Sequence, residues 1–230
     1  MHDQNVLPVG FPVDHWTARP LPPHTPMIGR RCRVEPLDPD RHAPDLHEAN
    51  LEDREGRNWT YLSSEPFRDL SAYRDWLRKM NTGDPFFHAI VDANSGRAVG
   101  VAAYMRIDRA NGVIEVGWVN YSPRLQRTPM ATEAMMLMMQ RVFEELGYRR
   151  YEWKCDNLNA ASHRAAERLG FTYEGTFRQA AVYKARNRDT AWYSMLDSEW
   201  PSRKKEFERW LDPSNFDEKG QQRTRLSHRR

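Results

Sequence analysis

The segment at residues 114–135 reads IEVGWVNYSPRLQRTPMATEAM and passes from an apolar strand through a short polar loop into a helix. The helix is predicted over residues 130–146, where alanine, methionine and leucine recur at helical spacing and Gly147 follows as a C-terminal signal. A turn from strand to helix presents unpaired amides at the positive end of the helix dipole, which favours a phosphate group. Arg124 and Arg127 flank this turn and could add charge-assisted contacts.

The elements on either side of this segment alternate between strands and helices. Strands are predicted over residues 31–37, 86–92, 98–108, 113–121, 150–155, 171–178 and 190–198. Further helices are predicted over residues 40–51, 67–80 and 159–169. The turn Asn111-Gly112 favours a tight antiparallel hairpin. This order predicts an α+β fold with one mixed central sheet flanked by helices.

The two ends of the chain differ in composition from its middle. Six of the fifteen prolines lie within residues 1–31, so we expect an N-terminal arm over residues 1–30 that either wraps the core or is loose. Trp200-Pro201 opens a short amphipathic helix, and a polar stretch follows it. We therefore expect one domain over residues 31–199, followed by a C-terminal helix and polar tail over residues 200–230, with the chemistry in the domain.

Composition narrows the class of protein. Hydrophobic residues make up 39% of the 230, which suits a packed globule, and a net charge of +3 gives no support for a nucleic-acid partner. The longest apolar run, residues 98–105, is too short to span a bilayer, and no secretory signal is readable. Cys32 and Cys155 lack metal-binding or redox spacing, and Cys155 is better explained as a small buried hydrophobe than as a nucleophile. We expect a reduced, cytoplasmic protein without a membrane partner. His88 and His163 show no ligand spacing, so no metal site is expected.

Two separated motifs carry a family resemblance. The run Gln126-Arg-Thr-Pro-Met-Ala131 is similar to the Q/R-x-x-G-x-G/A pyrophosphate loop of the GNAT acetyltransferases. The downstream run Asn159-Ala-Ala-Ser162, followed by Arg168-Leu-Gly-Phe171, resembles their N-x-x-S and LGF segments. The resemblance is to the RimJ/RimL-like branch and covers about residues 31–199 in element order.

The resemblance implies a cofactor and a site for it. Acetyl-CoA would be the acetyl donor, bound where the fourth and fifth strands of the family sheet splay apart and leave main-chain groups free for the pantetheine. The residues implied to contact the cofactor are Val119, Asn120 and Tyr121 for the pantetheine, Gln126, Arg127, Thr128, Pro129, Met130, Ala131 and Thr132 for the pyrophosphate, and Asn159 near the thioester.

The sequence departs from the family pattern at two positions. Pro129 replaces the motif glycine, which removes one amide donor, although Thr128 suits the N-cap and Pro129 suits the first helical position. Arg127 could offset the lost donor. Ala166 stands where some relatives place a tyrosine as general acid, so that acid is absent here.

Direct acetyl transfer needs a base for the amine and an acid for the leaving thiolate. Glu115 could serve as the base, directly or through water, if burial makes its carboxylate more basic. It could equally be an outward strand residue beside Glu133 and solvent. Ser162 could protonate the CoA sulfur, or its hydroxyl could satisfy amides at a helix N-terminus.

The acceptor site is expected in the loop at residues 58–62, which is unusually aromatic for a connection. Trp59 and Tyr61 could line an amine channel, although a hydrophobic plug over the core would explain them too.

Together these features predict an acetyl-CoA-dependent N-acetyltransferase in which an amine attacks the thioester directly. By analogy with the RimJ/RimL-like branch, the preferred acceptor is a protein N-terminal amine. Two alternatives stay open: acetylation of a small-molecule amine of the aminoglycoside or polyamine kind, and a non-catalytic acyl-CoA-binding protein. The sequence also permits a homodimer.

Overall fold

The computed structural model describes residues 7–226, which form one eight-stranded sheet and five α-helices. The strands are β1 (Met27–Ile28), β2 (Cys32–Pro36), β3 (Phe86–Asp92), β4 (Ala98–Asp108), β5 (Val113–Tyr121), β6 (Arg150–Asp156), β7 (Thr172–Tyr183) and β8 (Arg186–Leu196). The helices are α1 (Pro39–Asn50), α2 (Leu70–Met80), α3 (Pro129–Gln140), α4 (Ala160–Arg168) and α5 (Trp200–Leu211). The predicted α+β architecture with a mixed central sheet is confirmed.

The sheet has the strand order β1-β2-β3-β4-β5-β6-β8-β7 and is split in its middle. All neighbouring strands are antiparallel except β5 and β6, which pair in parallel only from Val113↔Arg150 to Val116↔Trp153. Beyond Val116, β5 continues to Tyr121 without pairing to β6. This parting confirms the splayed strands and leaves main-chain groups on the facing edges without ladder partners.

A β-bulge in β5 lies where the strands part. Ala103 faces Gly117 and Val101 faces Asn120, so three steps along β5 match two along β4. The extra residue is accommodated at Trp118, which has a φ of 49°. Its ring packs against Trp76, with the ring centroids 5.8 Å apart. The bulge bends β5 away from β6 and thereby opens the split.

Helices cover both faces of the sheet. Helices α1 and α2 cover one face around a buried cluster that includes Leu46, Tyr73 and Leu77. Helices α3, α4 and α5 belong to the larger cluster on the other face, which buries residues such as Met138 and Phe207. Within residues 7–226, no helix combines the length and apolar character needed to cross a membrane.

The N-terminal arm wraps the core over most of its described length. The Trp16 indole donates to the carbonyl of Ala110 at 2.7 Å, and the Tyr148 hydroxyl donates to the carbonyl of Pro20 at 3.0 Å. Farther along, Arg141 donates to the carbonyl of Thr25 at 2.7 Å. The first six residues of the predicted arm and the last four of the predicted tail lie outside the described residues.

The end of the arm docks onto helix α3 through a buried carboxylate. Glu133 is 7% exposed and accepts hydrogen bonds from the amides of Arg30, Arg31 and Cys32. A Cβ at Gly29 would lie 2.6 Å from the Glu133 Oε2 atom, so glycine is needed for this close approach. This buried carboxylate therefore ties the end of the arm to α3.

The C-terminal residues fold into a compact unit, here called the C-terminal lobe (residues 200–226). The buried side chain of Asn215 donates to the carbonyl of Trp210 and accepts from the amide of Thr224, at 2.9 Å each. Gln222 Oε1 accepts from the Trp210 indole at 2.8 Å, and Leu226 is buried. The polar tail is thus folded back on α5 as far as the structure describes it.

Candidate active site

A cleft of about 1410 Å³ passes through the split in the sheet. Its walls are the parted ends of β5 and β6, the first turn of α3, helix α4, the loop between α1 and α2, the β7–β8 hairpin and the C-terminal lobe. The site therefore gathers segments from almost the whole length of the described chain.

The loop into α3 keeps a helix-start geometry despite its proline. Thr128 is the N-cap, with its Oγ1 accepting from the amide of Ala131 at 3.2 Å and donating to the carbonyl of Leu125 at 2.7 Å. Pro129 occupies the first helical position, where its missing N–H costs no intrahelical bond. The Ala131 amide already donates to the Thr128 hydroxyl. Within residues 7–226, the amides of this loop that lack an acceptor therefore lie mainly before Pro129.

Arg127 is the arginine of this loop whose side chain has no partner within residues 7–226. It is exposed, has a φ of 59°, and makes no hydrogen bond or ion pair within residues 7–226. Arg124, by contrast, is engaged by Glu48 at 2.9 Å and Glu52 at 2.7 Å. Of the two arginines that flank the turn, only Arg127 is available to an anion.

The Gln126 side chain lies on the cleft lining and is held there by two hydrogen bonds. Its Nε2 donates to Asn58 Oδ1 and to the carbonyl of Tyr121, at 2.7 Å each. These bonds tie the loop to the end of β5 and to the connection after α1. The side chain is therefore held by the protein while it lines the cleft, and its role as a cofactor contact stays a prediction.

The end of β5 offers main-chain groups to the split at alternate residues. The amide of Ser122 donates to Val99 on β4, and Asn120 lies in register with Val101 two residues along the same edge. Because alternate residues share an edge, the main-chain groups of Asn120 face β4, whereas those of Val119 and Tyr121 face the split. Asn120 does not line the cleft, and its predicted contact with the cofactor stays a prediction. Val119 and Tyr121 line the cleft as predicted.

Glu115 lies at the cleft, deeper in the sheet than the loop, and its carboxylate is paired twice. The side chain is 4% exposed, and its Oε2 lies 2.6 Å from Arg106 Nη1 and 2.8 Å from Lys154 Nζ. Lys154 also pairs with Glu152 at 2.8 Å and lies over the ring of Trp192. Glu115 is therefore buried rather than turned to solvent, and two cations hold its carboxylate in place.

Ser162 is placed by its neighbours at the start of α4. Its Oγ accepts a hydrogen bond from the Trp153 indole at 2.9 Å, and its amide donates to the Oδ1 of Asn159, which is the N-cap of the helix. Burial raises the pKa of the Cys155 thiol, and a hydrogen bond from Ser162 opposes that rise. All four residues line the cleft, so Ser162 and Asn159 are in reach of its contents.

The two aromatic residues predicted to line the acceptor site, Trp59 and Tyr61, lie in different surroundings. The Trp59 ring is 3% exposed and packs edge-on against Phe67 and Trp76, away from the cleft lining. Trp59 is thus a core residue, because the short helix at Arg57–Trp59 turns its ring inward. Tyr61 lines the cleft, and its hydroxyl donates to the carbonyl of Leu158 at 3.0 Å.

Sequence reasoning missed several groups at the end of the cleft beside the β7–β8 hairpin. Asp156 is 6% exposed at the end of β6 and accepts from the Tyr183 hydroxyl at 2.8 Å. Lys184, at the hairpin tip, donates to the carbonyl of Trp59 at 2.8 Å and pairs with Glu65 at 3.1 Å. These bonds span the cleft between the hairpin and the loop after α1. The predicted strand ended at residue 178, before the hairpin tip, so nothing pointed to these residues.

Within residues 7–226, no three histidine, cysteine or acidic side chains come together in a way that could hold a metal ion. His163 instead bonds to the Tyr193 hydroxyl at 2.5 Å, and His88 is fully buried among aromatic rings. Both histidines have structural surroundings.

The mixed sheet parts beside the start of α3, and the cleft runs through the parting. Residues 31–172 match the family model described as the acetyltransferase (GNAT) domain. The chain therefore belongs to the GNAT family of N-acetyltransferases, which use acetyl-CoA. This confirms the resemblance found in the two motifs.

Known relatives agree with this assignment. A crystal structure of a GCN5-related N-acetyltransferase from Brucella melitensis is 48% identical, with a TM-score of 0.91, over 93% of this chain and 97% of that one. YdaF of Bacillus subtilis, whose name assigns it provisionally to ribosomal N-acetyltransferases, is 26% identical over 74% of this chain and 92% of its own length. RimL, a ribosomal L7/L12 alpha-N-protein acetyltransferase solved with coenzyme A, shares the fold with a TM-score of 0.61 and 21% identity, over 74% of this chain and 97% of that one.

Proposed function

We propose that the protein transfers the acetyl group of acetyl-CoA to a protein N-terminal amine, by direct attack of the amine on the thioester. The observation that carries this proposal is the continuity of one cleft from the free loop before α3, through the split between β5 and β6, to the carboxylates of Glu115 and Asp156. Such a cleft can hold a long donor at one end and an amine at the other.

The residues at the split fit the donor. Main-chain groups of Val119 face the split without ladder partners, as an amide-bearing pantetheine requires. Arg127 and the loop amides before Pro129 provide positive charge and donors suited to a pyrophosphate. The buried hydroxyl of Tyr121, on the cleft wall, has no hydrogen-bond partner within residues 7–226. Ala131 and Thr132 extend this surface along α3, and Asn159 extends it onto α4, whereas Met130 packs against the core outside the cleft lining.

The protein's own groups supply the proton transfers. Acetyl-CoA, when bound, supplies an activated acyl group. Glu115 accepts the proton of the attacking amine, directly or through water, and Arg106 and Lys154 hold its carboxylate in place. Ser162, oriented by the Trp153 indole, donates a proton to the departing sulfur. Both roles are ones that positioned side chains perform in direct acyl transfer.

The acceptor end favours a cationic amine at the end of a chain. Asp156 is a buried carboxylate on the cleft with no ion pair within residues 7–226, and it attracts an ammonium group before that group loses its proton. The bridge from Lys184 to Trp59 and Glu65 closes one side of the cleft, so an extended segment that enters end-first fits better than a side chain of a folded surface. The name of RimL, an alpha-N-protein acetyltransferase of the same fold, supports this choice.

The test is an acceptor screen read by mass spectrometry. Purified protein and acetyl-CoA are incubated with peptides that carry a free α-amine, with the same peptides blocked at the α-amine but containing lysine, and with a polyamine and an aminoglycoside. We expect acetylation of the free α-amine peptides alone. Acetylation confined to the polyamine or aminoglycoside would establish the small-molecule alternative instead. Binding of acetyl-CoA without transfer to any amine would favour a non-catalytic binding protein.

A further inference from the structure

One group of arginines on the cleft lining lies on the loop before α3, on α4 and on the C-terminal lobe, whereas the Glu115 carboxylate elsewhere on the lining is already paired with Arg106 and Lys154. These arginines are Arg127, Arg164, Arg168, Arg223 and Arg225, and none of them forms an ion pair within residues 7–226. Five cations without carboxylates along one wall provide a strong attraction for an anion.

Arg168 is the arginine whose position is fixed. Its Nη1 donates to Thr132 Oγ1 at 3.0 Å, and its guanidinium carbon lies 4.7 Å from the centre of the Trp210 ring. These contacts hold the guanidinium plane but leave most of its N–H groups without acceptors. A planar, preorganised fork of donors is the arrangement with which proteins bind phosphate.

The C-terminal lobe forms the wall beside Arg168. Trp210, Phe216 and residues 220–225 line the cleft there, and the bonds of Asn215 and Gln222 fix their backbone. The family match ends at residue 172, so this wall is an addition to the matched domain. An aromatic ring beside free arginines suits the base and phosphate of a nucleotide.

The position along α3 separates this surface from the pyrophosphate loop. Arg168 contacts Thr132, four residues past the Thr128 N-cap, which is about 6 Å along a helix axis. A phosphate bound to Arg168 therefore lies farther along α3 than one bound to the loop amides. The nucleotide end of coenzyme A carries one further phosphate, on the 3′ position of its ribose.

We propose that Arg168 and the C-terminal lobe form a second phosphate subsite, which binds the 3′-phosphate of coenzyme A. The inference rests on the proposed use of acetyl-CoA and adds the part of the site that distinguishes coenzyme A from its 3′-dephospho form. Arg168 supplies the fixed contact, and Arg223, an exposed residue of the lobe that lines the cleft, adds charge to the same wall.

The test compares binding of coenzyme A and 3′-dephospho-coenzyme A by titration calorimetry, which needs no turnover. The wild-type protein should bind coenzyme A about 10- to 100-fold more tightly than the dephospho form, the value of one charge-assisted phosphate contact. Arg168→Gln should lose most of that preference by weakening coenzyme A alone. Arg223→Gln should reduce the preference by a smaller factor in the same direction.

The matched control is Arg178→Gln, which removes the same charge from an exposed position outside the cleft lining and should leave both affinities within twofold. Each variant is checked by its unfolding temperature, so a folding defect is recognised. If Arg168→Gln weakens both ligands equally, or if neither arginine variant changes the ratio, the 3′-phosphate subsite is refuted while cofactor binding stands. If the wild-type protein binds neither ligand, the proposed function fails as well.

Discussion

The carboxylate of Glu133 on α3 lies 2.6 Å from the amide nitrogen of Arg31, across 102 positions of sequence. Together with the amides of Arg30 and Cys32, it forms a closed set of hydrogen bonds between the start of the first long strand and the helix that opens the cleft. This contact joins the edge of the sheet to the element that carries the cofactor loop.

Glu133→Ala should destabilise the protein by about 3 kcal/mol, because three buried or half-buried amides lose a charged acceptor. Urea unfolding followed by circular dichroism measures this change. Glu133→Gln retains one carbonyl oxygen and serves as the control, with a loss of about half that size. An alanine variant within about 0.5 kcal/mol of wild type would show that the amides find other partners.

Stability should fall as the pH is lowered from about 6.5, through two buried histidines. Burial, helped by the charge of Arg141, lowers the pKa of His88 to about 3, and burial with the charge of Arg41 lowers that of His42 to about 4. Above about pH 6.5 each imidazole is neutral in both states and contributes no pH dependence. Below that pH, the two histidines bind protons in the unfolded chain but stay neutral in the folded protein. The free energy of unfolding therefore falls.

His88→Leu should therefore remove about 1.4 kcal/mol of the stability difference between pH 7.5 and pH 5.5. Urea midpoints of the variant and the wild type at both pH values give the comparison. His42 should account for a similar part of the change in unfolding free energy between the two pH values. The His88→Leu variant should therefore keep that part of the pH dependence. An identical pH dependence in the two proteins would mean that His88 is protonated in the folded state.

Glu115→Gln should lower kcat by about 10²-fold or more while the affinity for acetyl-CoA changes little, because the amide cannot accept the proton of the amine. Glu152→Gln is the matched control, since Glu152 pairs with the same Lys154 but lies outside the cleft lining. Initial rates with the acceptor found in the screen provide the measurement. Equal losses in the two variants would assign Glu115 the role of positioning Lys154 rather than that of base.

Ser162→Ala should reduce kcat by about 10²-fold with an unchanged KM for acetyl-CoA, if its hydroxyl protonates the leaving sulfur. The Ser162 amide still donates to Asn159 in the variant, so the cap of α4 is kept. A donor thioester whose thiol is more acidic should restore much of the rate, because its thiolate leaves without a proton. A variant with the wild-type rate would leave Ser162 only its structural bonds.

Trp59 and Tyr61 should respond in opposite ways to substitution. Trp59→Leu should cost about 3 kcal/mol of stability, since its ring packs among Phe67, Tyr73 and Trp76. Tyr61→Phe should leave stability within about 0.5 kcal/mol and raise the acceptor KM about threefold or more, because it loses the bond to Leu158. Unfolding curves and acceptor titrations of the pair separate the two roles. A stable Trp59→Leu variant with an altered acceptor KM would reverse the assignment.

Sequence reasoning predicted the central strands β3, β4 and β5 with the same bounds that the structure shows, because each is buried and bounded by clear turns. The helix α2 begins at Leu70 rather than at residue 67, since Asp69 accepts from the amide of Ala72 and caps it. The β7–β8 hairpin extends to Tyr183 and Arg186, where exposed residues give no apolar alternation.

The chemistry was less readable than the fold. The loop before α3 and the N-cap Thr128 follow from local residue types, so they were predictable. The partners of Glu115 depend on the register between β5 and its neighbours, which no local pattern specifies. The C-terminal lobe escaped notice because its order depends on Asn215, a single buried amide in a polar stretch.

Three of the eight tryptophans, Trp118, Trp153 and Trp210, stand on the walls of the cleft, one at the bulge, one below Ser162 and one beside Arg168. The cleft thus contains intrinsic fluorophores, these tryptophans, along its length. An adenine placed against Trp210 would quench indole emission, whereas an acceptor peptide at the other end would leave that ring untouched. Intrinsic fluorescence can therefore distinguish which end of the cleft is filled, without any label.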